Sequence, residues 1–249
     1  MDSVFRTDKG RIRPHNEDNG GVFLNEAGDR LAIVADGMGG HNAGDIASHM
    51  AIETMKELWT KIEVIQSANQ AESWLKTAIL KSNEKVLEHS KDVPECSGMG
   101  TTLVAAICTA SFCTIANIGD SRGYLFNENG LTQVTEDHSL VNELVKSGEI
   151  TKEDAENHPR KNVLTRALGT ERDIIADFYT VMFEQGDLLL LCSDGLSNKL
   201  AQREMQQILE AELSIEKKAD SFIQLANENG GEDNITLVIL KHSAGLESG

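Results

Sequence analysis

Aspartates at the ends of apolar runs constrain this chain more than any other feature. Leu31–Ala35 runs into Asp36-Gly-Met-Gly-Gly, Phe112–Ile118 into Gly-Asp120, and Asp187–Cys192 into Ser-Asp194-Gly. Gly-Gly-Glu-Asp233 leads into Ile235–Leu240, and Asp18 closes His-Asn-Glu-Asp shortly before Gly21–Leu24. Short apolar runs rich in Val, Ile and Leu read as strands, and strand ends gather distant parts of a chain at one edge of a fold. Carboxylates collected there would repel one another unless a cation stood among them. A site for a hard divalent ion, Mg²⁺ or Mn²⁺, is the first expectation.

The order of segments narrows the fold. Strand patterns at Ser3–Arg6, Gly21–Leu24 and Leu31–Ala35 precede two helical stripes, Asp45–Thr60 and Ala71–Ser90. Strands follow at Thr101–Cys108, Phe112–Ile118 and Arg122–Asn127, with a turn at Asn127–Gly130. Ser139–Ser147 reads as a short capped helix, and Thr151–Asn157 opens with a Thr-x-x-Asp capping pattern. Ile175–Phe183 and Asp187–Cys192 are strands, Glu204–Glu212 and Glu216–Asn227 helices, and Ile235–Leu240 a closing strand. Strands and helices do not alternate, which favours antiparallel sheets with helices packed outside, an α+β architecture. The polar stretch Gly148–Ile174 reads as a surface excursion, and loops of that length are commonly functional or mobile. Three prolines and no Ser/Pro-rich linker point to one domain over residues 1–242, with a short tail at 243–249.

With 23 basic and 40 acidic side chains, the formal charge is -17. That disfavours nucleic acids and anionic membrane surfaces, both of which attract basic patches. Cys96, Cys108, Cys113 and Cys192 form no CxxC pair, so a structural zinc site is not expected, and they read as buried thiols. The opening Met1–Pro14 has no apolar signal core, and the longest apolar run, Leu188–Cys192, is too short to span a bilayer. A cytoplasmic monomer is the simplest expectation.

Several chemistries are excluded by counting. No cysteine is followed by the Cys-x5-Arg spacing of cysteine phosphatases, and neither a Gly-x-Ser-x-Gly elbow nor a Walker-A loop occurs. Gly37-Met-Gly-Gly-His-Asn42 approaches a dinucleotide fingerprint but has Asn42 in place of the third glycine. Without a side-chain nucleophile, water ionised by a cation is the natural attacker, and two ions about 3.5–4 Å apart can support in-line attack on phosphorus. Arg13, just before the His-Asn-Glu-Asp segment, is placed to bind phosphate oxygens. His41, directly after the glycines, is placed to protonate a leaving alkoxide. A noncatalytic metal-dependent phosphoprotein binder and a dinucleotide-binding oxidoreductase are the rival readings.

Taken in order, RPHNED, ADGMGGHNAGDIAS, GMGTT, IGDSRGY, EDHSLV, LLLLCSDGL and GGEDNIT resemble the motifs of metal-dependent serine/threonine protein phosphatases of the PPM (type 2C) family, compact bacterial members above all. The resemblance spans about Thr7 to Leu240 and implies a central β-sandwich with helices on both outer faces. It implies a binuclear Mn²⁺/Mg²⁺ centre in which Asp36 bridges both ions, the Gly37 carbonyl binds one, and Asp194 and Asp233 bind the other. Asp18 would hold water molecules on the ions, with Glu17 beside it, and Asp120 with Asp194 would make a weaker third metal site. Arg13 would hold the substrate phosphate and His41 would be the general acid. Residues 148–172 fall where relatives carry a flap beside the cleft. The substrates implied are phosphoserine and phosphothreonine proteins, dephosphorylated by direct attack of metal-bound hydroxide, in opposition to a serine/threonine kinase of the same cell.

Overall fold

The computed structural model describes residues 1–40 and 43–243. Two antiparallel sheets face each other. One has the order β1 (Asp2–Asp8), β11 (Ile235–Lys241), β10 (Leu188–Cys192), β7 (Arg122–Asn127) and β8 (Gly130–Gln133). The other has β2 (Asp18–Leu24), β3 (Arg30–Met38), β5 (Leu103–Cys108), β6 (Phe112–Ile118) and β9 (Asp177–Met182), with the short β4 (Gly100–Thr101) paired to the end of β3. Both faces of each sheet are covered, which is why the central strands read as unbroken apolar runs rather than alternating ones.

Three apolar layers follow from that arrangement. Val34, Val104 and Ile115 of one sheet meet Leu189, Leu191 and Val238 of the other between the sheets. Outside one sheet, α1 (Ala43–Trp59) and α2 (Ala68–Asp92) bury Met55, Trp59, Leu75 and Ile79 against Leu31, Ile33 and Ile107. Outside the other, α6 (Gln202–Glu210) and α7 (Ile215–Glu228) bury Met205, Leu209 and Phe222 against Leu190, Leu237 and Ile239. Each such side chain contributes on the order of 2 kcal/mol when removed from water. Trp59 keeps its polar edge satisfied by donating its indole N–H to the Phe23 carbonyl at 3.0 Å. The result is the α-β-β-α layering expected of the α+β reading.

Local chemistry explains the element boundaries. Ser67 accepts from the Gln70 amide and starts α2 three residues before its first periodic apolar position, Ala71. Ser139 caps α3 (Leu140–Lys146), and Thr151 and Asp154 form a reciprocal capping box on α4 (Lys152–Glu156). Among the elements not anticipated are β8 and α5 (Asp194–Ser197). β8 follows immediately on the Asn127–Gly130 turn, and α5 turns the chain directly after β10. Two expectations need correction. The excursion is not wholly superficial: Ala167 and Leu168 are buried, and Leu168 exchanges both backbone hydrogen bonds with Thr101. Cys108 and Cys113 are not separate thiols; register places them directly opposite on the β5–β6 hairpin, where they form a disulfide, while Cys96 and Cys192 are buried thiols. No helix among the described residues is long and apolar enough to cross a membrane.

Candidate functional site

Strand polarity assembles the acidic site. β2 and β3 run antiparallel with Asp18 directly opposite Asp36. β10 ends at Cys192 and β11 begins at Ile235, so antiparallel pairing brings Ser193–Asp194 and Asp233–Asn234 to one end of their sheet. Asp120 lies in the short crossing from β6 of one sheet to β7 of the other. The five aspartates therefore meet where the two sheets open at one edge of the sandwich.

Their mutual field is strong. Burial, and then Asp18, Asp194, Asp120 and Asp233, push the Asp36 carboxyl well above the usual carboxylate range. Burial raises Asp18 to about 7, opposed by hydrogen bonds from Ser193 and Thr236 and reinforced by Asp194 and Asp233. Asp120 is likewise raised to about 7, by burial first and Asp194 next. Asp194 is raised by burial and then by Asp233, with a hydrogen bond to Asp36 opposing. Groups that disfavour ionisation in one another's company become favourable neighbours once a cation is among them.

Two further observations fit such a cation. The Oδ1 atoms of Asp18 and Asp194 are buried and have no hydrogen-bond partner, an arrangement that is costly unless a ligand meets them. Gly37 lets its strand end approach its neighbours: a Cβ there would overlap the Gly44 and Glu17 carbonyl oxygens. Among the described residues no group of three or more His, Cys, Asp or Glu side chains stands close enough together to hold a metal ion as placed. Mg²⁺ and Mn²⁺ keep several waters and take only one or two carboxylates each.

The surrounding polar groups hold the acids in place. Thr102 accepts the Asp36 N–H through Oγ1 at 3.0 Å, and Thr101 donates its hydroxyl to the Asp36 carbonyl at 2.9 Å. The Thr102 and Ser121 hydroxyls lie 2.7 Å apart, joining the Asp36 strand end to the residue after Asp120. Ser193 donates to Asp18 Oδ2 at 2.7 Å and its Oγ accepts the Thr236 N–H. His138 accepts the Gly119 N–H on Nδ1 at 3.1 Å and pairs through Nε2 with Asp177, which also receives Arg166. Sequence reasoning had assigned no role to Thr101, Thr102, Ser121, His138 or Ser193. The signal was present in GMGTT, GDS, DHS and CSD, small polar residues beside the acids, but nothing in one dimension says which acid each faces.

Arg13 stands at the same edge, half-exposed, and donates from Nη2 to Asp233 Oδ2 at 2.7 Å. That hydrogen bond raises its pKa, with Asp36 and Glu17 adding to the effect. The Glu17 carboxyl is raised mainly by burial, and its carbonyl accepts from Gly37 N–H and the Ser48 hydroxyl. His41 and Asn42 lie outside the described residues, so the general acid and the end of the glycine-rich near-fingerprint are not placed.

The model of the family described as protein phosphatase 2C matches residues 13–234. The serine/threonine phosphatase stp of Listeria welshimeri is 52% identical over 243 residues, covering 98% of this chain and 96% of its own. Among solved structures, serine/threonine phosphatase Stp1 from Staphylococcus aureus superposes with a TM-score of 0.92 at 38% identity, covering 96% of this chain and 94% of the other. The catalytic domain of the serine/threonine protein phosphatase PstP, in complex with two manganese ions, superposes at 0.83 with 34% identity, covering 96% of each chain.

Proposed function

Because the chain belongs to the protein phosphatase 2C family and is a protein serine/threonine phosphatase, we propose that its five-aspartate edge works as a binuclear Mn²⁺ or Mg²⁺ centre. The observation that carries this is the convergence of Asp18, Asp36, Asp120, Asp194 and Asp233, with the pKa values of the first four raised and two buried oxygens orphaned. A divalent pair bound there would supply Lewis acidity and a water ionised near neutral pH. In this reading Asp36, the Gly37 carbonyl, Asp194 and Asp233 would hold the ions. Asp18, whose Oδ1 is buried and unpartnered, would hold water on the ions, and Asp120 with Asp194 would hold a third ion more weakly.

The side chains then divide the remaining work. Arg13 clamps phosphate oxygens, releasing part of its hold on Asp233 as it does so. His41 is retained as the proton donor on its sequence position. The phosphate passes to water without a phosphoenzyme, since the nearest nucleophilic side chains are committed elsewhere. Burial pushes the Cys192 thiol up to about 12, and the Ser193 hydroxyl is buried and donates to Asp18. Substrates are phosphoserine and phosphothreonine proteins, the products of a serine/threonine kinase in the same cell, reached past the 148–172 flap. The acting unit is a monomeric catalytic domain over residues 1–242 in the cytoplasm.

Turnover of an aryl phosphate and of phosphoserine, phosphothreonine and phosphotyrosine peptides with Mn²⁺ tests the reading. Chelation should silence the enzyme and added Mn²⁺ restore it. An Asp36→Asn protein with full activity would refute the assignment. Phosphopeptide binding without turnover would favour the noncatalytic binder.

A further inference from the structure

Asn234, next to Asp233, directs its whole side chain at one segment. Its Nδ2 donates to the carbonyl oxygens of Lys9 and His15, each at 2.9 Å, and its Oδ1 accepts the Glu17 N–H at 2.8 Å. The residue is 5% exposed, so these bonds form away from water, where an unmade partner is costly. Together they close Lys9–Glu17 into a loop. The segment belongs to no helix or strand, so its backbone groups depend on such tertiary partners. Arg13 lies inside the closed span.

Contacts on the other side press the loop against the β11 entry. Arg11 donates its N–H to the Gly231 carbonyl at 2.7 Å. Gly10 has φ +75°, and a Cβ there would overlap the Asp233 and Gly231 carbonyl oxygens. The Arg13 side chain, in contrast, has a single hold among the described residues: its 2.7 Å bond to Asp233 Oδ2. The other oxygen of that carboxylate accepts the Asn234 N–H at 2.9 Å. Once Asp233 is drawn on by another ligand, the backbone tether is what keeps the guanidinium over the acidic edge.

We propose that Asn234 is a positioning residue for phosphate binding: its amide pins the Lys9–Glu17 loop so that Arg13 reaches the phosphate at the correct distance. This rests on the reading of Arg13 as the phosphate clamp. Misplacing such a group by about 1 Å can cost up to a hundredfold.

The test is a double-mutant cycle on the full chain with saturating Mn²⁺, comparing wild type, Asn234→Ala, Arg13→Ala and the double variant. An aryl phosphate is the substrate and inorganic phosphate the inhibitor. Asn234→Ala is expected to raise KM and the phosphate inhibition constant about tenfold. In the Arg13→Ala background it should change them by less than about twofold. Mn²⁺ affinity, read by calorimetry, should be unaltered. An undiminished effect in the Arg13→Ala background, or a parallel loss of Mn²⁺ affinity, would overturn the inference. If Asn234→Ala does not fold, Asn234→Asp keeps the acceptor for Glu17 N–H and loses both donated bonds. Failure of both to fold would overturn the inference too, since Asn234 would then serve the fold rather than Arg13. An inactive wild type would sink the phosphatase mechanism itself; an active wild type with additive effects would sink only the role of Asn234.

Discussion

Replacing Asp18 with Asn should stabilise the metal-free protein and weaken its response to metal. Asp18 is 8% exposed, and its carboxyl is raised from the ordinary 3.8 to about 7 by burial and by Asp194 and Asp233. A rise of that size is worth about 4 kcal/mol between the two protonation states. The sign follows from proton linkage. Between pH 3.8 and 7 the unfolded chain has released the Asp18 proton and the native protein still holds it. Stability therefore falls by about 1.4 kcal/mol per pH unit across that window and is level above it. An asparagine has no proton to lose, and its carbonyl can still accept the Ser193 hydroxyl. Relaxation and water entry reduce the ceiling, so a gain of about 1–3 kcal/mol is expected at pH 8 in chelator, with a smaller gain at pH 5. Denaturant unfolding in EDTA at the two pH values measures it, and the same experiment with Mn²⁺ should show less metal-induced stabilisation in Asp18→Asn than in wild type. If Asp18→Asn is less stable than wild type at pH 8 in EDTA, the repulsive acidic edge is the wrong description.

Other perturbations probe neighbouring parts of the site. Asp194→Asn should lower turnover by at least about a hundredfold while circular dichroism is unchanged, because Asp194 opens α5 and its backbone carbonyl, not its side chain, accepts the Asn198 N–H. Thr102→Val removes the acceptor for Asp36 N–H and the link to Ser121; it should cost about 1–3 kcal/mol in denaturant unfolding and lower kcat. His138 has its pKa lowered mainly by burial, against the hydrogen bond to Asp177. A base held neutral in the native state loses stability as pH falls below its ordinary 6.5. His138→Ala should therefore be less stable than wild type at pH 8, and the gap between the two should shrink as pH falls below 6.5, both read by thermal unfolding.

The layers, most of the strands and helices, and the acids of the site were legible in one dimension. Apolar runs, stripe periodicity and capping residues such as Ser67, Ser139 and Thr151 act between near neighbours, and those interactions are written in sequence order. Asp36, Asp194 and Asp233 were recognisable because each sits where an apolar run meets glycine or a turn, a pattern local enough to read. β8 and α5 escaped because each is short and its boundary is set by pairing or by a bend, not by periodicity. The pairing of Cys108 with Cys113 came from hairpin register, and the burial of Ala167–Leu168 from the exchange with Thr101.

The sequence alone determined which residues carry charge and which runs must be buried. Only the tertiary structure decided that Asp18 lies opposite Asp36, that Ser193, Thr102 and His138 support particular acids or their neighbours, and that Asn234 grips a loop more than two hundred positions away in the chain. Strand register and the crossing between sheets place these groups, and both are settled by the packing of the whole sandwich, which no window of neighbouring residues contains.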